Sequence, residues 1–445
     1  MTKRADGVSR SSVPSSSEHS RATDSATQPM IPVLEARQFV LAACEVLAPR
    51  RVAVRDASGH VLAESIRAAE AVPPFANSSM DGYAVRAADT ASPPASLRVI
   101  GTVMAGENAT TFVSTGESVR IMTGAPLPPG ADAVCMVERT RLESGGSIVV
   151  VEESVDPGTF TRKAGSDIQA GDEVFSPGTS LGAAHVGVLS SVGVEQLLVH
   201  PSPTVGVLST GDELISAGGD LAPGKIRDAN RPALLARLQA DGFGTVDLGV
   251  AGDEEVALSA LLEEAGSRCD AIVSSGGVSV GDRDVMKTVL KDLSGPTMRS
   301  MQVAIKPAKP YAFGVLKKSG TPVFALAGNP VSALVSYELF VRPALRSMAG
   351  CAVLDRPRLA AVADVDLPRP RDGKLHLVRV TVRTGMNGVL GVRLAGGQDS
   401  HMLRVTAQSN ALALLPDGEG VRAGEPVEVL LLDADRVSAS QREPW

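Results

Sequence analysis

Aromatic side chains are scarce in this 445-residue chain: 9 Phe, 3 Tyr and 1 Trp. That scarcity argues against a surface on which nucleic-acid bases stack. Cations are not in excess either. Forty-three Lys and Arg stand against 50 Asp and Glu, a net charge of −7. Non-specific nucleic-acid binding needs clustered cations to neutralise phosphates, so a mildly acidic chain is expected to have no nucleic-acid partner. Cysteine is rare. Cys44, Cys135, Cys269 and Cys351 are too far apart for a CxxC pair. They read as buried reduced thiols, which points to the cytoplasm. No run reads as a membrane span. The uncharged stretch 174–194 is broken by Pro177, several Gly and Ser, and His185. The first residues lack the apolar block of a signal peptide. There is no HExxH, no zinc-ligand cluster and no Ser-His-Asp set.

Glycine (44) and proline (29) are plentiful, so turns are frequent. At about 150 residues per domain, the length suggests roughly three domains. Residues 1–30 read as a disordered tail. Eleven of the first 29 are Ser or Thr, and Leu, Ile and Phe are absent from them. An amphipathic helix is expected over 33–47. Short β-rich runs with Gly and Pro turns follow, from Arg51 to about Pro201. From Thr204 to Gly350, apolar strands, one of them near Val303, alternate with helices, the last of which is a long helix from Pro330 to about Met348. That rhythm predicts a mainly parallel sheet covered on both faces. Residues 355–434 return to β and read as a small closed or sandwich-like domain. The fold class expected is a multidomain α/β plus β protein around a central α/β sandwich.

Ligands of such sheets bind beyond the strand C-termini, and the motifs gather there. Ser274–Asp282 is Gly-rich and joins a buried strand to a helix. Its glycines permit positive φ and close backbone approach, so its N–H groups suit an anion. The alternative is a tight turn with no ligand. No Gly-Lys-Ser/Thr follows, so it is not a P-loop. Gly328-Asn329-Pro330 has a capping Asn and a Pro at the first helical position, and reads as a cap or a second anion turn. Lys306 and Lys309 stand between prolines that hold them extended, as solvated lysines or as anion ligands. Asp212, Glu213, Asp253, Asp282 and Asp284 lie just past strand ends. One carboxylate there is ordinary; several suggest a metal–phosphate site.

Together these stretches resemble the molybdopterin molybdenumtransferases, the bacterial molybdenum insertases of the gephyrin type. The resemblance covers residues 31–434. It is carried by Asn77 with Ser79–Val85, by Arg120–Pro126, by Ser209–Leu214, by Ser274–Gly281 and by Gly328–Ser332. It implies a homodimer of four-domain protomers. The first domain would comprise 31–70 and 167–202, with a β-rich domain of 71–166 inserted in it. The molybdopterin-binding α/β domain would be 203–350 and the C-terminal β domain 355–434. The activity implied is Mg2+-dependent insertion of molybdate into adenylylated molybdopterin, with release of AMP. Partners would include the adenylylating enzyme and recipient molybdoenzymes.

By the same resemblance, Asp81, Thr123, Asp167, Glu213, Asp253, Asp284 and Lys306 carry the chemistry. Ser275, Gly276, Gly277, Ser279, Gly281, Lys309, Gly328, Asn329, Pro330, Ser332 and Ser400 bind the pterin substrate or the oxyanion. Glu213, Asp253 and Asp284 are the metal ligands. Four positions depart from the family pattern. Gln302 replaces a frequent Lys, Ala327 a Pro, Ala76 an Asp and Ala308 a Gly. The loss of a cation at Gln302 leaves a second expectation open, a non-catalytic dimeric scaffold that binds a protein partner.

Overall fold

The computed structural model describes residues 29–278, 284–385 and 388–439. The tail expectation therefore falls, over 1–28, outside the described residues. So do Ser279, Gly281 and Asp282.

Six strands form the central sheet, in the order Gly244–Ala251, Thr204–Thr210, Ala271–Ser275, Pro322–Leu326, Pro310–Val315, Arg299–Gln302. The first four are parallel and the last two antiparallel. Alternate residues of each strand face opposite sides, so two cores form. Val205, Val207, Val273 and Phe324 meet the helix Asn230–Ala240 and the long helix starting at Pro330. Leu208, Ile272 and Val323 meet the helices Glu255–Gly266 and Val285–Ser294. The strands Ala271–Ser275 and Pro322–Leu326 are buried at every residue, as expected of central strands covered on both faces, and the first carries two buried serines, Ser274 and Ser275, at its C-terminal end.

The long helix comprises Pro330–Ser336, a π-helical turn at Tyr337–Val341 and Arg342–Met348. The first helix is shorter than expected, Val33–Ala42. The chain leaves it so that the Leu47 N–H can donate to the Met348 carbonyl at 2.8 Å. Ala36 and Val40 bury this helix in the central core.

One segment belongs to two sheets. A strand was expected near Val303. Instead Arg299–Gln302 ends the central sheet, and Ile305–Lys306 pairs in parallel with Leu375–His376 of the C-terminal sheet. That second sheet closes on itself, because Ala411–Leu415 pairs with both Leu375–Thr384 and Pro426–Leu431. The N-terminal half holds a six-stranded mixed sheet spanning Gly82–Val151 and a smaller sheet of Arg50–Ala53, Gln196–His200 and Val61–Leu62. A helix, Ala183–Ser191, lies where only β structure was expected. Its small and apolar residues show no amphipathic period, so the sequence carried little signal for it. Among the described residues, no helix is long and apolar enough to cross a membrane.

All four cysteines are free, and only Cys351 is not fully buried. Burial pushes the Cys44 and Cys135 thiols up to about 12 and raises Cys269 and Cys351 as well. At neutral pH the native protein should therefore react slowly with a disulfide-exchange reagent, Cys351 first, and all four thiols should react on unfolding. Rapid modification of more than one native thiol would contradict this packing.

Candidate active site

Four parallel strands end at Thr210, Ala251, Ser275 and Leu326, and each is followed by a glycine at once or within two residues. Gly276 and Gly277 have φ of 101° and 65°. A Cβ on Gly276 would stand 2.3 Å from the Thr210 carbonyl oxygen, and one on Gly277 2.8 Å from the Met286 Cβ. Only glycine fits this turn, which lets its backbone lie against the neighbouring strand end. Gly328 lies against Gly276: a Cβ there would be 3.7 Å from the Gly276 Cα.

A residue that sequence reasoning passed over braces the two turns. Asn230 Nδ2 donates to the Ser275 Oγ and to the Gly328 carbonyl, both at 2.7 Å. The residues flanking Asn230 are fixed in turn. Buried Asp228 accepts from the Ser209 hydroxyl at 2.9 Å and from Arg231 Nε at 2.9 Å. A local sign existed in Asp228-Ala229-Asn230 before a helix, but it predicts a cap and not a brace.

The carboxylates are spread along this edge. Exposed Asp212 accepts from the Asp253 N–H at 3.1 Å, which ties two strand ends together. Glu213 folds back over Gly211, where a Cβ would meet its Oε2 at 2.5 Å. Asp284 caps the helix Val285–Ser294 and pairs with Lys287 at 2.8 Å. Burial raises the Asp284 carboxyl, the Lys287 bonds oppose that, and the like charge of Asp253 adds to the rise. Among the described residues, no three His, Cys, Asp or Glu converge as a metal cage.

The lysines lie at the seam with the C-terminal sheet. A cleft of about 300 Å³ is lined by Lys306, Lys309, Ser332, Lys374, Gln398 and Ser400, with Pro307 and Ala308 at its wall. The Val331 N–H donates to the Ser400 carbonyl at 3.2 Å, which seats this loop against the start of the long helix. Arg379, buried on the strand behind, donates to the Asp399 and Gly397 carbonyls at 3.1 Å. Lys374 is steadied by Asp372 at 2.9 Å. Lys374 and Gln398 were not foreseen, because their closeness to Lys306 depends on how two sheets meet. Ala308 has φ of 77°, a region that disfavours a side chain. Gln302 Oε1 is buried and unpartnered among the described residues.

In the N-terminal half, Asp81 Oδ1 accepts from the Thr123 N–H at 2.7 Å and from its hydroxyl at 2.8 Å. Those bonds, backbone first, hold the exposed Asp81 carboxyl below its ordinary range. Asp167 is exposed, and its N–H donates to the Val72 carbonyl at 3.0 Å. Nothing bonds it to the Asp81–Thr123 pair among the described residues.

Comparison with known proteins gives matches along most of the chain. Residues 31–193 match the MoeA N-terminal region (domain I and II), 206–347 a probable molybdopterin binding domain, and 360–432 the MoeA C-terminal region (domain IV). Molybdopterin molybdenumtransferase 2 of Mycobacterium tuberculosis is 36% identical over 406 residues, 89% of this chain and 98% of that protein. The Haemophilus influenzae molybdopterin molybdenumtransferase is 35% identical over 378 residues, 84% of this chain and 92% of its own. The crystal structure of a molybdopterin biosynthesis MoeA protein from Pyrococcus horikoshii superposes with a TM-score of 0.75 at 31% identity. It covers 91% of this chain and 100% of that one.

The glycine turn offers a direct test. Gly276→Ala should lower stability by at least about 2 kcal/mol, from positive-φ strain plus the contact with Thr210. Gly59→Ala shares a positive φ of 86° but meets nothing within 4 Å. It should cost only about 1 kcal/mol. Equal losses in denaturant melts would show that the Gly276 backbone does not need its close approach.

Proposed function

The chain belongs to the MoeA family of molybdopterin molybdenumtransferases, and from that premise we infer that it inserts molybdate into adenylylated molybdopterin and releases AMP. It is a transferase of molybdenum cofactor biosynthesis. The observation that carries the finer reading is the lysine cleft beside the glycine turns. Lys306, Lys309 and Lys374 supply positive charge for an oxyanion, and the Ser332 and Ser400 hydroxyls can donate to it. The Gly276 N–H is taken by the Leu326 carbonyl at 3.1 Å and Pro330 has none, so it is the N–H groups of Gly277, Gly328 and Asn329 that these turns would offer to a phosphate. Ser275 is held ready by Asn230. Ser279 and Gly281 are assigned by resemblance, as are Asp81, Thr123 and Asp167. The Asp81 carboxylate, kept ionised by Thr123, repels a bare oxyanion but suits a proton or a cation that accompanies it.

Mg2+ is part of the proposal. Asp253 and Asp284 repel each other across the strand ends, which fits a cation bound partly by them and partly by substrate phosphate oxygens, with Glu213 nearby in sequence to the same edge. Such an ion would offset charge on the pyrophosphate and make AMP a better leaving group. We assign the protein to the cytoplasm and to a homodimer in which the inserted β-rich domain serves the partner's cleft. The domains proposed are 31–70 with 167–202, 71–166, 203–350 and 355–434. The adenylylating enzyme and recipient molybdoenzymes are the expected partners. No observation favours the scaffold alternative.

Purified protein, molybdate and adenylylated molybdopterin should yield active cofactor, read by reconstituting an apo-molybdoenzyme; no product would overturn the reading. Lys306→Ala should raise the molybdate KM about tenfold or more, the scale of one charge-assisted hydrogen bond. Asp81→Asn should keep the melting temperature and lower insertion about 100-fold. Mixed with Glu213→Gln protomers, it should regain activity if the site is shared between protomers. Failure to do so after verified subunit exchange would remove Asp81 from a shared site.

Protonation gives a further check on the cation. The raised Asp284 carboxyl takes up its proton at a higher pH than an ordinary carboxylate. As pH falls, Mg2+ affinity in the presence of substrate should therefore drop before ordinary carboxylates titrate. In Asp284→Asn that early drop should vanish.

A further inference from the structure

The glycine turn has a floor that the assigned residues do not include. Thr210 ends the strand Thr204–Thr210 and is 4% exposed. Its carbonyl and hydroxyl lie under Gly276 and Gly277. A Cβ on either glycine would stand 2.9 or 3.1 Å from the Thr210 Oγ1. Among the described residues, that hydroxyl has no hydrogen-bond partner. A buried hydroxyl without a partner is destabilising, and each such case in a folded protein calls for a reason.

Packing does not supply one. Valine has the shape of threonine, and a valine here would fill the same space without the unpaired polar atom. The neighbouring hydroxyl, Ser209 Oγ, is satisfied by Asp228 at 2.9 Å. Among the described residues, Thr210 keeps a donor free beside the two glycines whose missing side chains form the cradle, and Ser274 on the adjoining strand is also unpartnered but is not among the atoms nearest either glycine position.

We propose that Thr210 is a substrate-binding residue, whose hydroxyl donates a hydrogen bond to a phosphate oxygen of the pterin substrate seated at the Gly276–Gly277 turn. This rests on the reading that the sheet edge binds adenylylated molybdopterin. The hydroxyl complements the backbone N–H groups because it can rotate to meet an oxygen, whereas they are fixed. The unpaired donor is a defect of the free protein that substrate repairs. Binding energy and stability thus pull the same residue in opposite directions.

That opposition makes the test. Thr210→Val and Thr210→Ser are compared with the full-length protein by thermal melting without ligand and by calorimetric titration with adenylylated molybdopterin. Thr210→Val should melt no lower than the parent and bind about 10- to 100-fold more weakly, the scale of a hydrogen bond to a charged group. Thr210→Ser should retain most of the affinity. A lower melting temperature for the valine variant would show that the hydroxyl is structural, and unchanged affinity would show that it is not a ligand; either overturns the proposal. If the parent itself fails to bind, the reading of the sheet edge falls first. If the parent binds and Thr210→Val binds equally, only the role of Thr210 falls.

Discussion

A buried ionic knot between the central sheet and its C-terminal neighbour sets where the lysine cleft forms. Arg356, on the linker after the long helix, reaches Asp241 and Glu338, each at 2.7 Å. Arg237 adds a hydrogen bond to Glu338 at 3.0 Å, Arg342 lies in ion-pair contact with Asp241 at 3.3 Å, and the Tyr337 hydroxyl donates to Asp241 at 2.7 Å. Burial pushes the Glu338 carboxyl up to about 7, and the guanidinium of Arg237 pulls it back. Removing one member of such a knot leaves an uncompensated charge, at a cost of about 3–5 kcal/mol. An apolar replacement of the whole would hold the linker less specifically. The linker direction decides where the closed sheet sits, and that decides whether Ser400 meets Ser332.

The site is therefore composite. Its glycine turns belong to one sheet, while Lys374, Gln398 and Ser400 belong to another. The closed sheet has a core of its own and, through Leu377, Leu412, Leu414 and Leu430, also shares the core of the central sheet. The Arg379 guanidinium is spent on carbonyls of the loop 397–402, so the loop that carries Ser400 is fixed from behind by charge that never enters the cleft. Asn230 does the same for the glycine turns with a neutral amide.

What could be read in the sequence was what is local. Gly276-Gly277 after a buried strand, and Asn329-Pro330 before a helix, announce their geometry within a few residues. The alternation of Val205, Val207 and Leu208 between two faces is also local, so the central sheet was readable. The brace from Asn230 to Gly328 spans 98 residues, and the Asp81–Thr123 bonds span 42. No spacing rule encodes contacts of that kind. The helix Ala183–Ser191 was missed for a different reason, since it buries only Leu189 and needs no apolar stripe. The split of the strand near Val303 was missed because either half alone looks like ordinary β sequence.

That split has a mechanical meaning. Lys306 is hydrogen-bonded into the closed sheet beside His376, whereas the Lys309 carbonyl is bonded to the Val303 N–H and its neighbour Pro310 pairs with Gln302 in the open sheet. Two cations three residues apart thus ride on different bodies, joined by Pro307 and Ala308. The distance between them reports how far the bodies stand apart. An anion held by both lysines would cross-link the two sheets at the cleft, adding to the buried core and the ionic knot that already join them.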